Sequence, residues 1–212
     1  MGVRIALVHA VKVAIAPVED AFRRHWPEAE LSNLLDDSLS RDRNRDGALT
    51  PQLSRRIALL AQYGIDAGAS AVLYTCSAFG DAIEAVKREQ KVPVLRPNEA
   101  MLDEALRHGR RVGMLATFPA TVPALEAELR ALDPQVNIKS VCVPEAMTAL
   151  DSADKATHDR LLALAAPKLG ACDVVILAQF SMAGAREAVA RAVSCPVLTS
   201  PDSAVLRLRE LL

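Results

Sequence analysis

The sequence predicts an α/β protein of two pseudo-symmetric lobes, each a four-stranded parallel sheet flanked by helices, with the active site in the cleft between lobes. Two observations predict this fold: short apolar, β-branched runs alternate with Ala/Leu-rich stretches along the 212 residues, and the second half repeats the first. The apolar runs are continuous enough to be buried on both faces, as parallel strands are. The predicted strands are 4–9, 30–35, 71–75, 92–95, 111–116, 137–142, 173–178 and 196–198.

Helices fill the intervals between these strands, and prolines mark several of their starts. Thr50 offers an N-cap hydroxyl directly before Pro51, which suits the first helical position. Pro17, Pro119 and Pro123 also lie near predicted helix starts.

The internal repeat is clearest where residues 71–79 align with residues 174–182, each an apolar run followed by small polar residues. Eight βα units can also close into one barrel, but 212 residues is near the short limit for that fold. We therefore expect a first lobe that carries Cys76 and a second that carries Thr117 and Gln179. Their predicted ranges are 1–97 plus 201–212 for the first and 98–200 for the second.

Composition and charge exclude several classes of protein. With a formal net charge of −1 and 51% hydrophobic residues, the chain lacks the basic excess that binds nucleic acid or an anionic membrane. The N-terminus resembles a secretory signal at Ala14-Ile15-Ala16, but His9 and Lys12 interrupt its apolar region. Four cysteines without a Cys-x-x-Cys pair argue against a zinc ribbon and favour free thiols. We expect a cytoplasmic protein with no metal.

Residues 42–47 match the opening of an EF-hand calcium loop. The match fails further on, because the twelfth position is Leu53 rather than a bidentate glutamate and Pro51 interrupts the loop. We interpret the segment as a polar loop over the cleft instead. Three of its side chains could meet an anionic substrate: Arg41, Arg43 and Arg45.

Candidate site residues follow equivalent strands of the two halves, because ligands of open parallel sheets bind at the carboxyl ends of strands. Cys76 is the sharpest candidate. A thiol between a strand end and a helix start has backbone N–H groups and a helix dipole to stabilise its thiolate, which can move a proton or attack carbon. The alternative is a small buried hydrophobe, our interpretation of the other three cysteines: Cys142, Cys172 and Cys195.

Four hydroxyls at these strand ends can cradle a carboxylate, or cap the helices that follow: Thr75, Ser77, Thr117 and Ser181. His9 is either a general acid or base, or a hydrogen-bonded structural histidine. Gln179 occupies the position in the second half that corresponds to Cys76.

Aromatic residues are scarce, at 3% of the chain, and four of the seven lie at or just beyond these strand ends: Tyr74, Phe79, Phe118 and Phe180. They either pack under the helix starts or form an apolar wall that excludes water from the reacting carbon.

These residues resemble the cofactor-independent aspartate/glutamate/hydantoin racemase superfamily, which includes arylmalonate decarboxylase and maleate isomerase. The resemblance spans nearly the whole chain and rests on the doubled βα pattern, on Thr75-Cys76-Ser77, on Leu115-Ala116-Thr117 and on the strand before Gln179. It implies that Cys76 is an acid/base, that Ser77, Thr117 and Ser181 help hold a small carboxylate substrate, that no cofactor is needed and that the protein forms a homodimer or higher homo-oligomer.

The departure from the family pattern is at Gln179, where the resemblance implies a second cysteine. A glutamine amide is neither an acid nor a base near neutral pH, so we expect one-sided proton transfer at the carbon alpha to a carboxylate or carbonyl, through an enolate-like intermediate. The alternatives are a single-cysteine decarboxylase or cis–trans isomerase with Cys76 as proton donor or covalent nucleophile, and a non-catalytic protein that binds a small ligand.

Overall fold

The computed structural model describes residues 2–212 and contains two four-stranded parallel sheets in separate compact units. One unit extends to Ala100 and includes Ala204–Leu212, and the other is Met101–Ser203. This architecture confirms the predicted fold class and excludes a single closed barrel, because no strand of one sheet pairs with the other among the described residues.

The first sheet has the order β2-β1-β3-β4. Its strands are β1 (Arg4–His9), β2 (Glu30–Leu35), β3 (Ala71–Tyr74) and β4 (Val94–Leu95). The accompanying helices are α1 (Ile15–His25), α2 (Leu39–Asp46), α3 (Pro51–Asp66), α4 (Gly80–Glu89) and α5 (Glu99–His108), the last of which continues into the second unit.

The second sheet has the corresponding order β6-β5-β7-β8. Its strands are β5 (Arg111–Ala116), β6 (Asn137–Cys142), β7 (Val174–Leu177) and β8 (Val197–Thr199). Its helices are α6 (Thr121–Leu132), α7 (Pro144–Asp151), α8 (Lys155–Ala165), α9 (Arg186–Ala190) and α10 (Ser200–Leu211), which ends in the first unit. Short 3-10 segments occupy Lys12–Ala14, Ser77–Phe79, Ala166–Leu169 and Phe180–Ala185.

The central strands are buried because helices cover both faces of each sheet. From Ile5 to His9 and from Val112 to Ala116 every residue is buried, which explains the continuous apolar runs. Helix α3 lies very close to β1: a Cβ atom added to Gly64 would stand 2.5 Å from the Cβ atom of Ala6. Thr50 caps α3 as predicted, since its hydroxyl accepts from the Leu53 N–H at 3.3 Å.

Most strand predictions are correct within one or two residues, but the prediction of a polar loop at 42–47 is wrong. Residues up to Asp46 form α2, which is anchored by the buried side chain of Leu39 and ends at Gly47 with a left-handed φ of 65°. An ion pair between Asp42 and Arg45, one helical turn apart, adds a small stabilisation. The spacing of the acidic residues and the glycine in the sequence did not show that Leu39 is buried and holds this helix in place.

No helix among residues 2–212 is long and apolar enough to span a membrane.

Candidate active site

Cys76 lies at the carboxyl end of β3. The Thr75 N–H extends the strand by donating to the Val8 carbonyl at 3.1 Å, and Cys76 is extended (φ −130°, ψ 121°) immediately before the 3-10 turn that leads into α4. The Ala78 N–H and the Ser40 hydroxyl are the polar groups beside the thiol sulfur. The sulfur therefore lies among residues of the end of β3, the turn that follows it and helix α2.

Burial raises the pKa of the Cys76 thiol, and the hydrogen bonds from Ala78 and Ser40 offset this only in part. The sequence led us to expect a helix start that favours the thiolate. Burial is the larger effect here, so the resting sulfur carries a proton at neutral pH. A protonated thiol is the form that can deliver a proton to a carbanion-like carbon.

Helix α2 supplies Ser40, which the sequence had not assigned to the site, and Arg43, which it had. Ser40 contacts the thiol, and the Arg43 Nε donates to the Ala78 carbonyl at 3.4 Å. The hydroxyl of Ser40 also donates to the Ala10 carbonyl at 3.3 Å. No motif in the sequence pointed to Ser40, because its role depends on where α2 packs rather than on its chain neighbours.

Arg56 on α3 holds α2 in this place. Its guanidinium donates to Asp42 at 2.6 Å and to Asp36 at 3.0 Å, and also to Ser38. The hydrogen bond from Arg56 lowers the pKa of Asp42, while for Asp36 the bonds from Ser38 and Arg56 outweigh burial and lower the pKa as well. Both carboxylates therefore stay charged, and Asp42 is occupied by an arginine rather than available to calcium.

Residues 2–212 contain no cluster of three or more His, Cys, Asp or Glu residues that could hold a metal ion.

His9 is fully buried at the end of β1, between two protein partners. Its Nδ1 lies 2.9 Å from the Thr75 hydroxyl and its Nε2 lies 2.9 Å from Asn33 Oδ1. Burial lowers the pKa of His9, although Asn33 and the charge of Glu19 act against that shift. This environment fits a hydrogen-bonded structural histidine better than a general acid or base.

In the second unit, Gln179 follows β7 in an extended conformation (φ −131°, ψ 149°) close to that of Cys76. Its Oε1 accepts from the Thr117 N–H at 3.1 Å and its Nε2 donates to the Thr121 hydroxyl at 3.4 Å. The amide thereby ties the end of β7 to the segment between β5 and α6. It offers no titratable proton at this position.

The predicted hydroxyl and aromatic residues differ in exposure. Ser77 is exposed and Ser181 is partly exposed, whereas Thr75 and Thr117 are buried. Among the four aromatics, only Phe118 reaches solvent, at 55% exposure. Tyr74 and Phe79 belong to the core of the first unit, where the Tyr74 hydroxyl donates to the Ile57 carbonyl at 2.9 Å. Phe180 is buried as well.

The sequence model of a family described as Asp/Glu/Hydantoin racemase matches residues 16–208. A search of curated proteins finds no significant match.

Similar solved structures share the fold at low sequence identity. An allantoin racemase from Klebsiella pneumoniae is 16% identical, with a TM-score of 0.76 over 99% of this chain and 87% of its own. A Picrophilus torridus aspartate racemase is 13% identical, with a TM-score of 0.72 over 99% and 94%. A Bacillus anthracis glutamate racemase is 15% identical, with a TM-score of 0.69 over 99% and 81%. At such identities, the structures establish a common fold.

Proposed function

Because the chain belongs to the Asp/Glu/hydantoin racemase family, we propose that it catalyses proton transfer at the carbon alpha to a carboxylate or carbonyl, through an enolate-like intermediate and without a cofactor. Cys76 is the acid/base. The observation that carries the proposal is a partly buried thiol directly after β3, at the start of the turn into α4, with the Ala78 N–H and the Ser40 hydroxyl beside it.

The chemistry follows from these contacts. The S–H proton moves to the planar, electron-rich carbon, the new C–H bond forms, and the negative charge passes to sulfur. The Ala78 N–H and the Ser40 hydroxyl then stabilise the thiolate, since hydrogen bonds to charged groups are stronger than neutral ones. The reverse direction removes the proton from substrate and restores the thiol.

Gln179 favours chemistry in which one thiol suffices. Its amide is engaged by Thr117 and Thr121 and is neither an acid nor a base near neutral pH. A symmetrical reaction between two thiols is therefore not available to this chain. Decarboxylation, or cis–trans isomerisation with Cys76 as donor or nucleophile, is the second candidate function, because each needs a single thiol.

We assign the substrate carboxylate to the exposed hydroxyl of Ser77, directly after Cys76. Arg43 adds a positive charge beside the same turn through its bond to Ala78. The roles that the sequence predicts for Thr117, Phe118 and Ser181, which lie in the second unit, stay predictions.

The test is turnover of a substrate panel by wild type, Cys76→Ala and Cys76→Ser, read by circular dichroism and carbon dioxide release. The panel contains amino acids, hydantoins, malonates and maleate. We expect both variants to lose turnover while they still bind substrate, with Cys142→Ala as an active control. Full activity in Cys76→Ala would refute the proposal. A wild type that binds but never turns over any of the panel would favour the ligand-binding alternative.

The cytoplasmic location and the homo-oligomer that the resemblance implies remain predictions; light scattering on the purified protein tests the second.

A further inference from the structure

Four hydrogen-bonded side chains cross the carboxyl edge of the first sheet, from Glu19 on α1 through Asn33 on β2 and His9 on β1 to Thr75 after β3. The Asn33 Nδ2 donates to Glu19 at 2.7 Å, which leaves its Oδ1 facing the His9 Nε2 at 2.9 Å. The reversed amide would set two acceptor oxygens against each other. The Asn33 oxygen is therefore the acceptor, and Nε2 carries the ring proton.

This proton position decides the role of the other ring nitrogen. Burial lowers the pKa of His9, so the ring is neutral at physiological pH and its Nδ1 holds a free lone pair. The Thr75 hydroxyl, 2.9 Å away, donates to that lone pair. The Val8 carbonyl is a longer alternative acceptor at 3.3 Å. Both nitrogens of the buried ring are thus engaged by the protein.

We propose that His9 is a positioning residue, which anchors the Thr75 hydroxyl and thereby fixes the strand end that presents Cys76. Thr75 directly precedes Cys76, and its backbone N–H already pairs with the Val8 carbonyl. The hydrogen bond from the Thr75 hydroxyl to His9 is a second link between residue 75 and β1, made by the side chain. This inference rests on the proposed function only in taking Cys76 as the reactive group.

Two pairs of substitutions separate the hydrogen bond from packing. Thr75→Ser keeps the hydroxyl, whereas Thr75→Val keeps the shape without it. His9→Asn keeps an oxygen near the position of Nδ1, whereas His9→Gln keeps a polar group only near that of Nε2. In each pair, the first variant retains the bond to residue 75 and the second removes it.

The measurement is the rate at which iodoacetamide alkylates Cys76 in the full chain, from about pH 6 to 10. It is scored by mass spectrometry on the tryptic peptide 57–87, whose only cysteine is Cys76. We expect Thr75→Val and His9→Gln to react about tenfold more slowly near neutral pH, as the sulfur loses its alignment with its hydrogen-bond donors and its pKa rises by about one unit. Thr75→Ser and His9→Asn should stay within about threefold of wild type.

Equal slowing in all four variants would indicate packing and overturn the inference, as would an unchanged rate in Thr75→Val. If Thr75→Val does not fold, the long-range proton–nitrogen NMR spectrum of wild type decides: a proton on Nδ1 of His9 would refute the assignment, and one on Nε2 supports it. Alkylation needs no turnover. An inactive wild type would therefore contradict the proposed function alone, while turnover with insensitive alkylation would contradict this inference alone.

Discussion

Ser40 gives the most direct test of the thiol environment. Removing its hydroxyl in Ser40→Ala takes away one of the two hydrogen bonds that oppose the effect of burial on the pKa of Cys76. A hydrogen bond to a charged group is worth about 1.5–3 kcal/mol, and the longer neutral bond that Ser40 makes to the Ala10 carbonyl is worth about 0.5–1.5 kcal/mol. The hydroxyl has one proton, so it must leave Ala10 to serve the thiolate.

The difference between the middle values of these two ranges is about 1.2 kcal/mol, which corresponds to about one pKa unit. Since the sulfur is mostly protonated near neutral pH, a rise of about one unit lowers the thiolate fraction about tenfold. Ser40→Ala should therefore slow alkylation of Cys76 about tenfold near neutral pH and leave the rate at high pH close to wild type.

The assay is the pH profile of iodoacetamide alkylation, read on the peptide 57–87. Ser54→Ala is the matched control, because Ser54 donates to the Thr50 carbonyl on α3 and is not among the groups that shift the pKa of Cys76. Ser40→Thr should retain most of the wild-type profile. A profile for Ser40→Ala that overlies wild type would show that α2 does not act on the sulfur, and would refute the reasoning.

Three further outcomes follow from the structure. Arg43→Gln should slow alkylation of Cys76 by iodoacetate about fivefold relative to alkylation by neutral iodoacetamide, because a nearby cation attracts the anionic reagent. Arg45→Gln is the control, since the Arg45 guanidinium is paired with two carboxylates, and it should leave the ratio of the two alkylation rates unchanged. Gln179→Cys should create or increase exchange of the substrate α-proton in deuterium oxide, and no gain would argue against a second proton-transfer position there. Gly64→Ala should lower the free energy of unfolding by about 1–3 kcal/mol, since its Cβ has no room; a change under about 0.5 kcal/mol in urea unfolding would contradict the close contact.

The fold was predictable because its signals are local. The apolar runs that became β1 and β5 match their predicted bounds, since strands buried on both faces need continuous apolar residues. The same apolar runs locate the strand ends, and Cys76 and Gln179 directly follow two of them. Helix α2 was missed because its polar, arginine-rich sequence lacks an apolar stripe, and one buried leucine together with Arg56 anchors it.

The candidate site, like the fold, was predictable only in part. From the sequence, Cys76 could be nominated by its position between strand and helix, and the Ala78 N–H beside it belongs to the turn that follows. The partners of His9 could not be anticipated, because Thr75, Asn33 and Glu19 are brought to it by strand pairing and by α1 rather than by proximity in the chain.

By itself the sequence determined the α/β class, the two four-stranded sheets and the position of Cys76 as a candidate site residue directly after β3, since these depend on hydrophobic periodicity and on residue type. Only the tertiary structure decided that burial raises the pKa of this thiol, that Ser40 on α2 lies beside it and that both nitrogens of His9 have protein partners. The physical reason is that burial and hydrogen bonding depend on which atoms surround a group, and packing rather than chain order selects those neighbours.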